Sequence, residues 1–287
     1  MKALWLVSFR PIGKSKINDF YQSLFVDSIK SLDFDITFSF TQFDETNVKN
    51  FIDKKDVKNY YINIPKSDLP ANKKYSNKLM LDNALNQYLE NDNFDYLIYS
   101  TADIIVPNNI FEVLSNINED NFCALVYPNT HITNGKVKNN FWPHYGIDLI
   151  IFKISKEKSL KFKEIIKTYN QYDWGINENF YIAASEDLEL KRYNLFKYCN
   201  VIKFDNDFEA FTEDRTWQKN SWKENRGYFL KFLEKNRLSK LYAYGSYYYL
   251  LLKIFSIRDL NFNLLLSYLI FYPYNLIKKI INIFRKK

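Results

Sequence analysis

Glycine, cysteine and histidine are scarce in this chain. Six glycines, two cysteines and two histidines stand among 287 residues. No G-x-G-x-x-G occurs, which argues against a dinucleotide-binding turn of the usual kind. Cys123 and Cys199 lie far apart, and together with His131 and His144 they form no zinc-ligand spacing. The pattern suits a reducing compartment, and a cytoplasmic chain is expected. The opening MKALWLVSFR has too short an apolar run for an export signal and reads as a first strand.

Hydrophobic residues make up 47% of the chain and aromatic residues 18%. That content excludes a disordered protein, and the length suffices for one large or two modest domains. Lys, Asn, Ile, Phe and Tyr dominate in the manner of AT-rich coding, so the aromatic content is not read as stacking on nucleic-acid bases. Five of the seven net positive charges fall at Lys278, Lys279, Arg285, Lys286 and Lys287, a tail without acids. Elsewhere positives and acids interleave, which disfavours a phosphate-tracking stripe and a nucleic-acid partner.

Apolar runs at 3–9, 34–41 and 60–64 alternate with helical patterns at 17–25 and 47–54, giving repeated β-α-β order. The loop SFRPIGKS imitates a phosphate-binding P-loop. However, Ser8 stands where that loop needs glycine, and Pro11 removes a backbone N–H that would cradle phosphate. A long helix is expected over 72–89, with Leu81, Ala84, Leu85, Tyr88 and Leu89 buried and Lys74, Lys78 and Asp82 on another face. That face is either solvated and charged, or Lys78 or Asp82 on it lies beside a bound nucleotide.

The chain is organised around residues 94–107, FDYLIYSTADIIVP. An apolar strand breaks into Ser100-Thr101-Ala102-Asp103, so a carboxylate stands at the carboxyl end of a buried strand, where open α/β sheets collect their ligands. The alternative is that Asp103 starts a turn or caps the helix near Asn108. Further on come strands at 122–127, 147–154 and 199–204 and a helix at 155–169. Asp148 opens the apolar strand IDLIIFKI and needs a partner or water. The loop YDWGINEN carries Asp173 and Glu178 at a cleft mouth or a capped helix start. Asp205 and Asp207 follow the strand CNVIKF, and two helices are expected over 221–257.

This order resembles the glycosyltransferases of the GT-A fold, family 2-like, over residues 3–235. In that family the central strand ends in Asp-x-Asp, of which Thr101-Ala102-Asp103 keeps the last acid. The resemblance implies a mixed α/β sheet flanked by helices, with a donor half at 1–105, an acceptor half at 106–235 and a helical extension at 236–287. It also implies that Asp103 holds a divalent Mn or Mg ion, with Asp205 and Asp207 as further ligands. Thr101 and Ala102 would line the ribose and diphosphate, and Phe9, Arg10, Pro11, Thr41 and Asp44 would hold the nucleotide. Asp148 and the loop with Asp173 and Glu178 would supply the acceptor-side carboxylate, Glu178 or Asp173 serving as general base in an inverting enzyme. The partners implied are a nucleotide-sugar donor and a glycan or lipid-linked acceptor of a bacterial cell-surface pathway.

Beyond 260 the apolar stretch is short and is interrupted by Pro273, well below the ~20 residues of a spanning helix. Ile277, Ile280, Ile281 and Phe284 recur at helical spacing opposite the lysines. Such a basic amphipathic end suits an anionic membrane surface, here the inner face of the plasma membrane, or else packs on protein.

Overall fold

A computed structural model describes residues 1–43, 47–91, 94–139, 147–169, 172, 177–205, 215–244 and 257–258. The side chains of 177–178, 215–219, 241, 244 and 257–258 are not part of that description. The first half runs β1 (Lys2–Val7), α1 (Lys16–Lys30), β2 (Asp35–Thr41), α2 (Val48–Lys54), β3 (Tyr60–Asn63), α3 (Asn77–Glu90) and β4 (Tyr96–Ser100). Then follow β5 (Ile104–Ile105), α4 (Ile110–Ser115), β6 (Phe122–Val126), β7 (Thr130–Thr133), β8 (Lys136–Asn139), β9 (Leu149–Lys153) and α5 (Lys156–Lys167). The chain continues through α6 (Asn177–Asp187), β10 (Lys191–Asn194), β11 (Ile202–Asp205), α7 (Arg215–Lys235) and β12 (Ile257–Arg258).

Eight strands form one sheet in the order β12-β10-β6-β9-β4-β1-β2-β3. β3, β2, β1 and β4 are mutually parallel, and β9 runs antiparallel to both its neighbours, β4 and β6. The sheet is therefore continuous through the expected donor and acceptor halves. This is the mixed α/β architecture, a sheet flanked by helices, that the resemblance implies.

The central strands read as unbroken apolar runs because both of their faces are covered. Residues alternate between the faces, as a side-chain period of two requires. Leu4, Leu6, Leu97, Tyr99, Ile150 and Phe152 face one core with α3, α5 and α6. Ala3, Trp5, Val7, Tyr96, Ile98, Leu149 and Ile151 face another with α1, α2 and α4.

The expected 199–204 strand forms as β11, but in a second sheet of order β5-β11-β7-β8. The short strands β5, β7, β8 and β10 lie outside the apolar runs that the sequence reading used. Of the two helices expected over 221–257, the first is α7, which starts earlier, at Arg215; residues 245–256 lie outside the described residues, and Ile257 begins β12 where a helix was expected to end. The long helix begins at Asn77 and not at Asn72, because Ser76 caps it by accepting the Leu79 N–H.

Candidate active site

Topology brings the two central acids together. Parallel β1 and β4 end on one edge of the sheet, and the antiparallel β9 begins there. The Thr101 N–H donates to the Asp148 carbonyl at 3.0 Å, so Thr101-Ala102-Asp103 leaves the sheet where Asp148 enters it. The small sheet closes on the same place. β11 pairs antiparallel with β5, Lys203 lying opposite Ile104, and the Phe204 N–H donates to the Asp103 carbonyl at 2.9 Å.

That ladder delivers Lys203 to both carboxylates. Its ammonium lies 3.3 Å from Asp103 Oδ1 and donates a close hydrogen bond to Asp148 Oδ1. Thr101 Oγ1 donates to the same Asp148 oxygen at 3.3 Å. Asp148 Oδ2, by contrast, is buried and has no partner among the described residues. Arg10 completes the cluster from the loop after β1, its guanidinium 3.5 Å from Asp103 Oδ2. Asn18 accepts from Arg10 Nη1 at 3.2 Å and Gln22 accepts the Arg10 N–H at 2.6 Å, so the first turns of α1 hold both ends of this residue.

Side-chain exposure falls from 33% at Arg10 to 16% at Lys203, 14% at Asp103 and 7% at Asp148. Exposure within the cluster thus decreases from the Arg10 cation to the Asp148 carboxylate. Burial by itself would raise the Asp103 carboxyl. The charges of Lys203 and Arg10 outweigh it and hold the group below its ordinary value. Burial would likewise lower the Lys203 ammonium, and the two carboxylates hold it above its ordinary value. Both groups stay ionised.

The other expected site residues divide. Asp205 lies on the same face of β11 as Lys203, by the period of two along a strand, and accepts from Thr133 at 3.0 Å while its carboxylate lies 2.9 Å from His131 Nδ1. Thr41 and Pro11 sit on the carboxyl edge, Thr41 buried at the end of β2. Lys78, in the first turn of α3, is on the same edge, because a helix that leads back into β4 starts there. Ala102 is buried and packs in the core that faces α1, α2 and α4.

Phe9 is a correction to its expected role at the nucleotide. Its ring is 6% exposed and packs against Phe25, Phe40 and Phe51 with centroid distances of 6.4, 5.1 and 5.5 Å, so it belongs to the core. Its backbone is fixed by the Gln42 amide, which accepts from the Phe9 N–H at 2.9 Å and donates to the Phe9 carbonyl at 3.1 Å. Asp44, Asp173 and Asp207 lie outside the described residues, as does the side chain of Glu178.

Gly13-Lys14-Ser15 is no phosphate cradle. The Gly13 N–H, at φ +87°, donates to the Asp19 carboxylate at 3.0 and 3.2 Å, and Ser15 caps α1. A cavity of about 390 Å³ lined by Lys2, Asp35, Thr37 and Tyr60 lies at the opposite end of β1 and β2.

The sequence reading missed Lys203, Asn18 and Gln22. A signal for Lys203 was present, since it is the one charged residue inside the apolar run CNVIKF. A cation at that point of a buried strand requires an acid nearby.

The divalent metal that the resemblance implies does not fit these residues as they stand. Among the described residues no group of three or more His, Cys, Asp or Glu side chains could hold a metal ion. Asp103 and Asp148, the two acids closest to such a role, share a lysine. An ion placed about 4 Å from that ammonium would meet roughly twice the ~4 kcal/mol by which two unit charges repel at this distance under an effective dielectric of about 20.

No family model matches the chain, and no curated protein matches it. Solved structures do. Glucosyl-3-phosphoglycerate synthase from Mycobacterium tuberculosis, in complex with phosphoglyceric acid, matches 83% of this chain and 81% of its own at 10% identity and a TM-score of 0.45. TarS from S. aureus matches 82% of this chain and 72% of its own at 12% identity and a TM-score of 0.43. A Drosophila β1,4-galactosyltransferase 7 mutant in complex with manganese, UDP-Gal and xylobiose matches 76% and 78% at 11% identity and a TM-score of 0.43. A cytidylyltransferase from Leptospira borgpetersenii is matched as well, at 12% identity. Similarity at this level concerns the path of the backbone, and the chemistry of the site belongs to this chain's own residues. The fold itself is the mixed α/β sheet flanked by helices that the chain's own strands and helices form.

Proposed function

We propose that this chain is a glycosyltransferase that moves a sugar from a nucleotide-sugar donor to a glycan or lipid-linked acceptor in bacterial cell-surface polysaccharide synthesis. The observation that carries this reading is the Arg10–Asp103–Lys203–Asp148 cluster at the carboxyl edge of parallel β1 and β4. A mixed sheet places its ligands there, and the cations of the cluster suit a diphosphate. Residues 1–105 form the donor half, with Pro11, Thr41, Asp44, Lys78, Thr101 and Ala102 around the nucleotide. Residues 106–235 form the acceptor half.

The chemistry asked of these residues is modest. The bond between the sugar's anomeric carbon and the β-phosphate oxygen breaks, its electron pair stays on the diphosphate, and Arg10 offsets the charge that develops. The acceptor hydroxyl oxygen bonds to the anomeric carbon and gives its proton to a carboxylate, for which Asp148, Asp173 and Glu178 are the candidates. No step is routed through a metal. The basic segment 260–287, outside the described residues, would hold the enzyme on the anionic inner face of the plasma membrane, near a lipid-linked acceptor. Among the described residues no helix is long and apolar enough to cross a membrane.

The test is a thermal-shift screen with UDP, GDP, CMP and their sugars on the parent and on Asp103→Asn, followed by assay of released nucleotide. Stabilisation by one donor class and acceptor-dependent release of its nucleotide support the reading. Pyrophosphate release from a nucleoside triphosphate and a sugar phosphate would make the chain a nucleotidyltransferase instead. No response to any nucleotide, with salt-sensitive binding to anionic vesicles or oligonucleotides, would leave a non-catalytic binding protein.

A further inference from the structure

Lys203 stands at the centre of the cluster, between its two acids. It is not a surface lysine that has wandered into an acidic patch. The pairing of β11 with β5 and the Phe204–Asp103 backbone bond fix its position from the main chain outward. Its ammonium touches one oxygen of each acid, and Arg10 reaches the other oxygen of Asp103. Two carboxylates with one ammonium and one guanidinium carry the same net charge as two carboxylates around a divalent ion. The place between the acids is taken by a group that the chain itself supplies.

We propose that Lys203, with Arg10, is the resident cation of this site, so that the nucleoside diphosphate is bound and its departure assisted without a divalent metal. The inference rests on the transferase reading and adds the residue that does the metal's work. Asp103 and Asp148 then serve as positioning residues. They hold the ammonium between them and keep it protonated, while its third N–H is directed to the diphosphate. When the bond from the anomeric carbon to the β-phosphate oxygen breaks, the electron pair stays on that oxygen, and Lys203 and Arg10 offset the added charge. No proton needs to leave the lysine.

The experiment is titration calorimetry of the full chain with UDP, GDP and CDP, in EDTA and then in excess Mn²⁺. The expected result is one diphosphate that binds with the same Kd in both media. Asp148→Asn/Lys203→Met, which removes one charge of each sign and leaves Asp103 facing Arg10, should bind that diphosphate at least about tenfold more weakly in EDTA. Lys203→Arg should retain most of the affinity. Binding that requires Mn²⁺ and is abolished by EDTA overturns the inference and leaves the transferase reading intact. Equal affinity for the double variant and the parent, both folded by circular dichroism, also overturns it. No binding of any diphosphate in either medium overturns the transferase reading and this inference together.

Discussion

Thr101 donates its N–H to the carbonyl of Asp148, 47 positions away, and its hydroxyl to the same residue's carboxylate. Backbone and side chain thus tie the end of the central parallel strand to the start of the reversed one. Everything else in the cluster is built against that tie. The acids are held close enough that a cation must stand between them, and Lys203 does.

Removing that cation alone should be costly. Lys203→Met leaves Asp103 and Asp148 facing each other at low exposure, and breaking a buried ion pair from one side costs about 3–5 kcal/mol. Urea unfolding should show a midpoint well below the parent's, and Asp148→Asn/Lys203→Met should recover a clear part of the loss. A single variant as stable as the parent would mean that the acids are solvated and the cluster is not a closed unit.

Acid should probe the same cluster from the other side. The folded carboxyl of Asp103 lies below its ordinary value near 3.8, so its contribution is full above that value and disappears as the pH falls through the folded one. Lys203 is raised, so its contribution is full below about 10.5 and disappears only as alkali carries the pH through its folded value. Between those limits the contribution is flat. Asp103→Asn should therefore melt below the parent at neutral pH, and the gap should close as the pH drops under about 3.8. A gap that stays constant into acid would detach Asp103 from its cations.

These relationships were unequally visible in the sequence. The strand–helix alternation and the apolar runs of β1, β4, β6 and β9 announce a layered α/β sheet, because strands covered on both faces must be apolar throughout. Asp103 and Asp148 stood out for the same reason, as charges at the ends of such runs. Their adjacency did not, since it depends on β9 running antiparallel, and no local pattern encodes strand direction. Lys203 was visible as the one charge inside CNVIKF, but its place between the two acids was not. β11 belongs to a second, small sheet in which β5 is only two residues long and β7 is largely polar, so neither shows periodicity. Phe9 misled in the opposite sense, being adjacent in sequence to a true site residue while its ring turns inward.

The hydrogen bond from Trp5 Nε1 to Ser100 Oγ, 2.8 Å and buried, links β1 to β4 just below the site. Ser100→Ala leaves the indole N–H without its acceptor inside the sheet, at a cost of about 1–3 kcal/mol. Chemical denaturation measures it directly. An unchanged midpoint would mean that another acceptor takes the proton.

Arg10 should separate binding from stability. Its guanidinium is one-third exposed, and an ion pair so placed contributes about 0–1 kcal/mol to folding. A charge-assisted hydrogen bond to a bound phosphate contributes roughly 1.5–3 kcal/mol, which corresponds to about a ten- to hundredfold change in affinity. Arg10→Ala should thus unfold near the parent's midpoint while its Kd for the cognate nucleoside diphosphate rises by that factor. Arg10→Lys should restore only part of it, because Asn18 and Asp103 hold a planar fork that an ammonium cannot reproduce. Asn18→Ala, which frees the fork without removing it, should fall between the two. Equal Kd values for the parent and Arg10→Ala, measured by calorimetry, would take Arg10 out of the binding site and leave it as a strut between the β1 loop and Asp103.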